Sequence, residues 1–178
     1  AARAFADGRS ERAIHEAYLH ATGHTDLDLP YNNIVGLNEH AAVLHYQHQR
    51  HDLPDRHRCL LIDAGADAIG YASDITRSHG NGDDRFQALI DGVDAAQQAL
   101  CGQVRTGVDY RDIHLDAHLR LAGVLKDLGI VAMAPQAQVE TGVSSIFFPH
   151  GIGHLLGLQV HDVGGFLAGP DGGRIEPP

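Results

Sequence analysis

The stretch Cys59-Leu60-Leu61-Ile62-Asp63-Ala64-Gly65-Ala66-Asp67-Ala68-Ile69-Gly70-Tyr71-Ala72-Ser73-Asp74-Ile75-Thr76 decides how this chain is read. It opens on four apolar residues of the kind that fill a buried strand, then stops on an aspartate. Small residues follow, and 69–76 is extended again. The pattern predicts a hairpin in which 60–63 pairs with 71–74, turning near Ala68-Ile69 between Asp67 and Gly70. In that register Asp63 lies directly opposite Asp74. Cross-strand neighbours have Cβ atoms about 4.5–5.5 Å apart, and like charges there repel. A folded chain tolerates the pair if one acid is protonated or a cation sits between them. The alternative is another register, with each acid solvated separately. Ile62 and Ile75 set both acids in apolar strand context, which argues against that alternative.

Upstream of the hairpin, Ser10 is a good N-cap and Glu11 puts negative charge in the first turn. Ala13, Ile14, Ala17 and Tyr18 follow at helical spacing, so 10–21 reads as a helix that Gly23 ends. Ile34-Val35 and Ala42-Val43-Leu44 suggest two short strands joined by Asn38-Glu39-His40, and 47–58 is a polar loop. Downstream, 83–100 reads as a helix with Phe86, Leu89, Ile90, Val93 and Leu100 on its apolar stripe. A further helix starts after Asp109, with Asp112 at the capping-box position, and runs to Gly129. A Gln/Ala-rich turn around Pro135, an apolar run at 145–148 and a Gly/Pro-rich loop over 164–178 complete the chain.

Strands, helices and strands in this order do not alternate as βαβ units would, which favours an α+β fold. One internal echo bears on this. Gly8-Arg9-Ser10-Glu11-Arg12-Ala13-Ile14-His15 resembles Gly107-Val108-Asp109-Tyr110-Arg111-Asp112-Ile113-His114. It reads either as two related halves or as coincidence between two capped helices.

The second informative stretch is His150-Gly151-Ile152-Gly153-His154-Leu155-Leu156-Gly157-Leu158-Gln159-Val160-His161. Imidazole is the commonest protein metal ligand. Gly151 and Gly153 argue against a helix, so a tight turn and strand is expected. Asp162 could orient the ring of His161. A lone histidine in an apolar segment is usually a hydrogen-bonded core residue; three together among glycines shift the balance towards a site. Imidazole and carboxylate donors without thiolate suit Mn, Co or Zn, and acids able to bridge suit a two-metal centre.

Composition sets outer bounds. The 178 residues are 43% hydrophobic and 20% charged, as in an ordinary globular chain with a sizeable core. A formal net charge of −10 argues against a nucleic-acid partner. The 14 histidines prove nothing by number, since several lie among polar residues. Cys59 and Cys101 form no CxxC and read as reduced thiols of a cytoplasmic protein. No leader opens the chain, which begins at Ala1 rather than Met, and no apolar run is long enough to span a membrane.

The residues just quoted resemble those of a known family. The run from His150 to Asp162 is similar to the signature of Xaa-Pro dipeptidases (prolidases) and aminopeptidase P. Ile62-Asp63-Ala64-Gly65, Gly70-Tyr71 and Asp74-Ile75-Thr76-Arg77 resemble the first ligand block of that family, with its eleven-residue step between aspartates. Tyr31-Asn32-Asn33-Ile34-Val35, the run from Leu37 to Tyr46, and Val163-Gly164-Gly165-Phe166 resemble bacterial prolidases in particular.

The resemblance implies a pita-bread α+β fold with two pseudo-symmetric halves, covered here only in part over residues 1–178. It implies hydrolysis of Xaa-Pro dipeptides with release of C-terminal proline, by hydroxide generated at two divalent metal ions. Manganese is expected, with Co or Zn as alternatives. Asp63 would chelate one metal, Asp74 would bridge both, and His154 would bind the other. His45, His150 and His161 would hold substrate and stabilise charge at the scissile carbonyl. The expected partner is the dipeptide, with neither nucleic acid nor membrane, and a homodimer is an assembly the family takes. The family also uses two glutamate ligands, in a Thr-Ile-Glu-Pro-Gly-like block and a later Arg-Ile-Glu block. Arg174-Ile175-Glu176 is rejected as the latter: it follows His161 too soon, with no glutamate block between. The N-terminal domain of prolidases is missing as well. The chain is therefore expected to be a fragment, inactive by itself. Alternatives are aminopeptidase P, or a catalytically dead peptide-binding fragment. A metal-free creatinase-like relative is disfavoured by intact Asp63, Asp74 and His154.

Overall fold

The computed structural model describes residues 1–163, 167–169 and 171–174. They form two compact units, 1–83 with the described residues of 154–174, and 84–153.

The first unit opens with helices α1 (Ala2–Ala6) and α2 (Glu11–Thr22), followed by β1 (Ile34–Leu37), β2 (Cys59–Ala64), β3 (Asp67–Ala68), β4 (Tyr71–Ala72) and β5 (Ile75–Gly80). Helix α2 forms where its caps dictate. Ser10 Oγ accepts from Ala13 N–H at 3.3 Å, and Gly23 ends the helix at φ 71°, a left-handed conformation that glycine takes without steric cost. Strands β1, β2 and β5 make an antiparallel sheet in the order β1-β2-β5. Along β2 burial alternates with the strand period: Leu60, Ile62 and Ala64 point into the core, and Cys59, Leu61 and Asp63 point to the other face. Phe5 and Ile14 from the helices close over Val35, Leu37, Leu60 and Ile62. Each such side chain contributes about 1.5–3 kcal/mol of burial free energy.

The expected strand at Ala42-Val43-Leu44 does not form. Residues Asn38–Ala42 make a 3-10 turn, and Val43 and Leu44 are exposed. Asn38 is the cause. Its φ is 54°, and its Oδ1 accepts from the N–H of Arg58 at 2.8 Å and of Cys59 at 3.3 Å. The side chain thereby caps the start of β2 and bends the chain off the sheet.

The second unit is helical among its described residues: α3 (Asp84–Cys101), α4 (Tyr110–Asp127), α5 (Pro135–Glu140) and α6 (Val143–Phe147). Asp109 caps α4 by accepting from Arg111 N–H at 2.9 Å. At its other end Ile130 N–H bonds Leu125 O and Gly129 N–H bonds Lys126 O, a Schellman closure with Gly129 at φ 63°. The turn expected around Pro135 is a short helix instead. Proline suits the first helical position, and Gln138, fully buried, donates to the carbonyls of Ala122 and Met133. The apolar run at 145–148 likewise belongs largely to a helix, α6.

The internal echo has a structural counterpart. Gly8 and Gly107 both adopt positive φ, Ser10 and Asp109 are both N-caps, and Ile14 and Ile113 are both buried. No helix among the described residues is long and apolar enough to cross a membrane.

Candidate metal centre

Asp63 reaches the site because it sits on the face of β2 away from the core. Its partner across the ladder is Thr76, not Asp74 as expected. The same register continues to the tip, with Asp67 opposite Ala72 and Ala68 opposite Tyr71. The turn residues are therefore Ile69 and Gly70, at φ 59° and 80°. A two-residue turn with both φ positive is type I′, which matches strand twist. Turning at Ala68-Ile69 would put two side-chain-bearing residues in that conformation; moving the turn by one gives the second position to glycine. The register then shifts by two. A shift of two leaves every side chain on its original face, so Asp74 stays beside Asp63 as a diagonal neighbour.

A tyrosine joins the two acids. Tyr31 Oη lies 2.6 Å from Asp63 Oδ1 and 2.8 Å from Asp74 Oδ1. Gly65 makes room for it. A Cβ there would run into the Ser73 carbonyl and stand 2.6 Å from the Tyr31 ring. A hydroxyl has one proton, so it can donate to only one of two carboxylates. The other contact needs a proton on the acid or a cation in its place. Burial, reinforced by the neighbouring Asp74 charge, pushes the Asp63 carboxyl above its usual range, against the opposing hydrogen bonds of Tyr31 and Thr76. Burial and both carboxylates also push the Tyr31 phenol up, so it stays protonated.

His154 approaches from the other end of the unit's sequence. Its Nε2 is 3.1 Å from Asp74 Oδ2 and its Nδ1 is 3.0 Å from Leu155 O. The carbonyl only accepts, so Nδ1 carries the hydrogen, and in the neutral ring Nε2 turns a lone pair towards a carboxylate. That contact too wants a proton or a cation. The ring of His161 stacks on His154 at 3.9 Å between centroids and 13° between planes.

The segment carrying these rings is not the strand expected after the turn. Within the first unit it is a chain of bends, returned on itself by Asp162 N–H to Leu155 O and tied to β4 by Ala72 N–H to Gly157 O. Asp162 does not orient His161 among the described residues; its Oδ1 accepts from Val163 N–H and its side chain packs on Gly157.

The structure thus gathers Asp63, Asp74, His154 and His161. His45 lies exposed in the loop after the 3-10 turn, at φ 54°, and among the described residues no hydrogen bond joins it to the acids or to His154. His150 belongs to the second unit and is exposed there. Gly164, Gly165, Phe166, Ile175 and Glu176 lie outside the described residues. Among the described residues no three of His, Cys, Asp or Glu are arranged to hold one ion together; the contacts run in a line, Asp63–Tyr31–Asp74–His154. The donors nevertheless fit a divalent ion in kind. They are carboxylate and imidazole without thiolate, short of protons at two contacts.

The chain belongs to metallopeptidase family M24, whose sequence profile matches residues 1–178. It is 59% identical over 176 residues to the Xaa-Pro dipeptidase of Stenotrophomonas maltophilia strain R551-3, covering 98% of this chain and 40% of that protein. It is 58% identical to the Xaa-Pro dipeptidase of Xanthomonas axonopodis pv. citri strain 306, with the same coverage. Among solved structures it superposes on proline aminopeptidase P II from Yersinia pestis with a TM-score of 0.81 and 32% identity, over 96% of this chain and 40% of that one. Zinc-substituted Escherichia coli aminopeptidase P in complex with product also matches with a TM-score of 0.81, at 29% identity over 96% of this chain and 39% of that one. The fold is accordingly the α+β pita-bread fold of these enzymes. The chain spans about 40% of the length of the curated relatives it matches.

Proposed function

We propose that the full-length protein is a metal-dependent Xaa-Pro dipeptidase, releasing C-terminal proline from dipeptides, and that residues 1–178 are part of its catalytic domain. The observation that carries the reading is the shortage of protons at the Asp63–Tyr31–Asp74–His154 line, on residues matching the dipeptidase motifs. In this reading Asp63 would hold one divalent ion, Asp74 would bridge two and His154 would hold the second. When bound, the ions, taken as manganese with Co or Zn as alternatives, would supply Lewis acidity for the scissile carbonyl and an activated water.

The chain's own part is to orient. Asp74, held by Tyr31 on one oxygen and His154 on the other, is fixed in direction. Tyr31 keeps its proton and spaces the carboxylates. His161, stacked on His154, with His45 and His150, would donate to the substrate and to charge developing on its carbonyl oxygen. In this reading the chain carries only part of the ligand set and would be inactive by itself. The unpaired Cys59 and Cys101 favour a cytoplasmic setting.

Asp74→Asn in the full-length protein tests the reading. Manganese-dependent release of proline should be lost together with bound metal; retained activity would sink it. Aminopeptidase P is the second reading, favoured by the structural neighbours. Product analysis on Xaa-Pro against Xaa-Pro-Yaa substrates separates the two.

A further inference from the structure

Glu11 has no part in the line of contacts just described, yet it is among the most buried charged groups in the chain, at 2% exposure. As the first residue of α2 it could have pointed to solvent and simply favoured the helix dipole. Instead both of its oxygens are spent on one segment. Oε1 accepts from Leu37 N–H at 2.9 Å and faces His40 Nδ1 at 2.7 Å. Oε2 accepts from Tyr46 Oη–H at 2.7 Å and from Arg50 N–H at 2.9 Å. The four contacts reach the last residue of β1, the 3-10 turn, the middle of the loop and its far end.

That segment, 38–50, is under backbone strain. Asn38, His45 and Gln49 have φ of 54°, 54° and 45°, a left-handed conformation that asparagine tolerates and that histidine and glutamine adopt only at a steric cost. Among the described residues only Ile69 shares it outside glycine. Little apolar packing is available to hold the loop, since Val43 and Leu44 are exposed. What holds it is polar. Tyr46 is buried against Glu11 and stacked on His40 at 4.5 Å, and Arg12 N–H bonds Arg50 O at 3.1 Å. His45 immediately precedes the pinned Tyr46.

We propose that Glu11 is the positioning residue for His45: one buried carboxylate clamps both ends and the middle of the 37–50 segment and so fixes the strained backbone from which the His45 ring projects. The catalytic consequence rests on the substrate role given to His45 above. Glutamine is the informative replacement. It keeps the shape but turns one acceptor oxygen into a donor NH2; in either orientation that NH2 meets a backbone N–H, of Leu37 or of Arg50, which can only donate, so at least one of the four contacts becomes repulsive.

The test uses the full-length protein. Glu11→Gln should speed tryptic cleavage after Arg50 relative to cleavage after Lys126, with the far-ultraviolet spectrum unchanged. It should lower kcat/KM on a Xaa-Pro dipeptide by about tenfold to a hundredfold, the scale of loss from misplacing a group by an ångström. It should split between kcat and KM as His45→Ala does, and add little to His45→Ala in the double variant. Tyr46→Phe removes one contact while keeping the ring stack; it should act in the same direction more weakly, and it serves if Glu11→Gln does not fold. If cleavage after Arg50 is unchanged, or if the loss adds in full to that of His45→Ala, the proposal is wrong while the role of His45 stands. If His45→Ala keeps full activity, the substrate role of His45 fails, and the catalytic half of the proposal fails with it.

Discussion

Asp74 Oδ2 and His154 Nε2 lie 3.1 Å apart, although 80 residues separate them in the chain. Nothing local brings them together; the return of 155–162 on itself and its tie to β4 do. His154→Ala should therefore weaken manganese uptake by the full-length protein at least about tenfold to a hundredfold, the loss that even an outer partner of a ligand produces. Titration calorimetry reads it directly. An unchanged manganese affinity would remove His154 from the centre.

Tyr31→Phe isolates the hydroxyl between the acids. Without its proton Asp63 and Asp74 repel, and in the metal-free protein the stability should fall by about 1–3 kcal/mol, the cost of stripping a buried polar group of its partner. Adding manganese should restore most of the loss, because a cation substitutes for the proton. Urea unfolding with chelator and with manganese checks this; an equal loss in both conditions would mean the hydroxyl serves packing alone.

Much of this arrangement could be read from sequence, for identifiable reasons. Alternation and an apolar run fix which side of a strand faces in, and that puts Asp63 and Asp74 on one face. Their register was displaced by two because the hydrophobic pattern does not locate a turn; the tolerance of Gly70 for positive φ does. Ser10, Gly23 and Asp109 behaved as their side chains dictate. The strand assigned to 42–44 failed because Asn38 offered the backbone a partner outside the sheet, which apolarity cannot reveal. Tyr31 was visible only as part of a motif. Its role depends on a contact 32 residues away in sequence, opened by the missing side chain of Gly65. Glu11 is legible only as the acid of a first helical turn, since nothing local shows that four polar groups of the 37–50 segment converge on it.

Ile69 is fully exposed and holds φ at 59° in the turn of the β3–β4 hairpin. A β-branched residue is costly there, and Asn-Gly is the pair that type I′ turns favour. Ile69→Asn should raise stability by about 1 kcal/mol, read as a higher urea midpoint at unchanged slope. No gain would show that the turn relaxes to another type in solution.

Acid should act on Glu11 in a definite sense. Burial pushes its carboxyl up, but the bonds from Leu37, Tyr46, Arg50 and His40 outweigh that and hold it below its ordinary value of 4.5. A depressed carboxyl contributes stability above its unfolded pKa and loses it as pH falls through the folded value. The stability gap between the natural protein and Glu11→Gln should thus be constant above about pH 5 and narrow steadily below about pH 4. A gap independent of pH down to 3 would mean the carboxylate charge is not what the loop requires.

The ladder that pairs Asp63 with Thr76 carries a condition on length that motif spacing alone conceals. Residues facing each other across a two-residue turn have numbers of opposite parity, and so do the two acids. Any odd step between them keeps both on one side of the sheet; an even step drives one carboxylate into the hydrocarbon interior. Variation at this tip is therefore admissible two residues at a time, as added or removed pairs, whereas a single inserted residue has to be swallowed as a bulge.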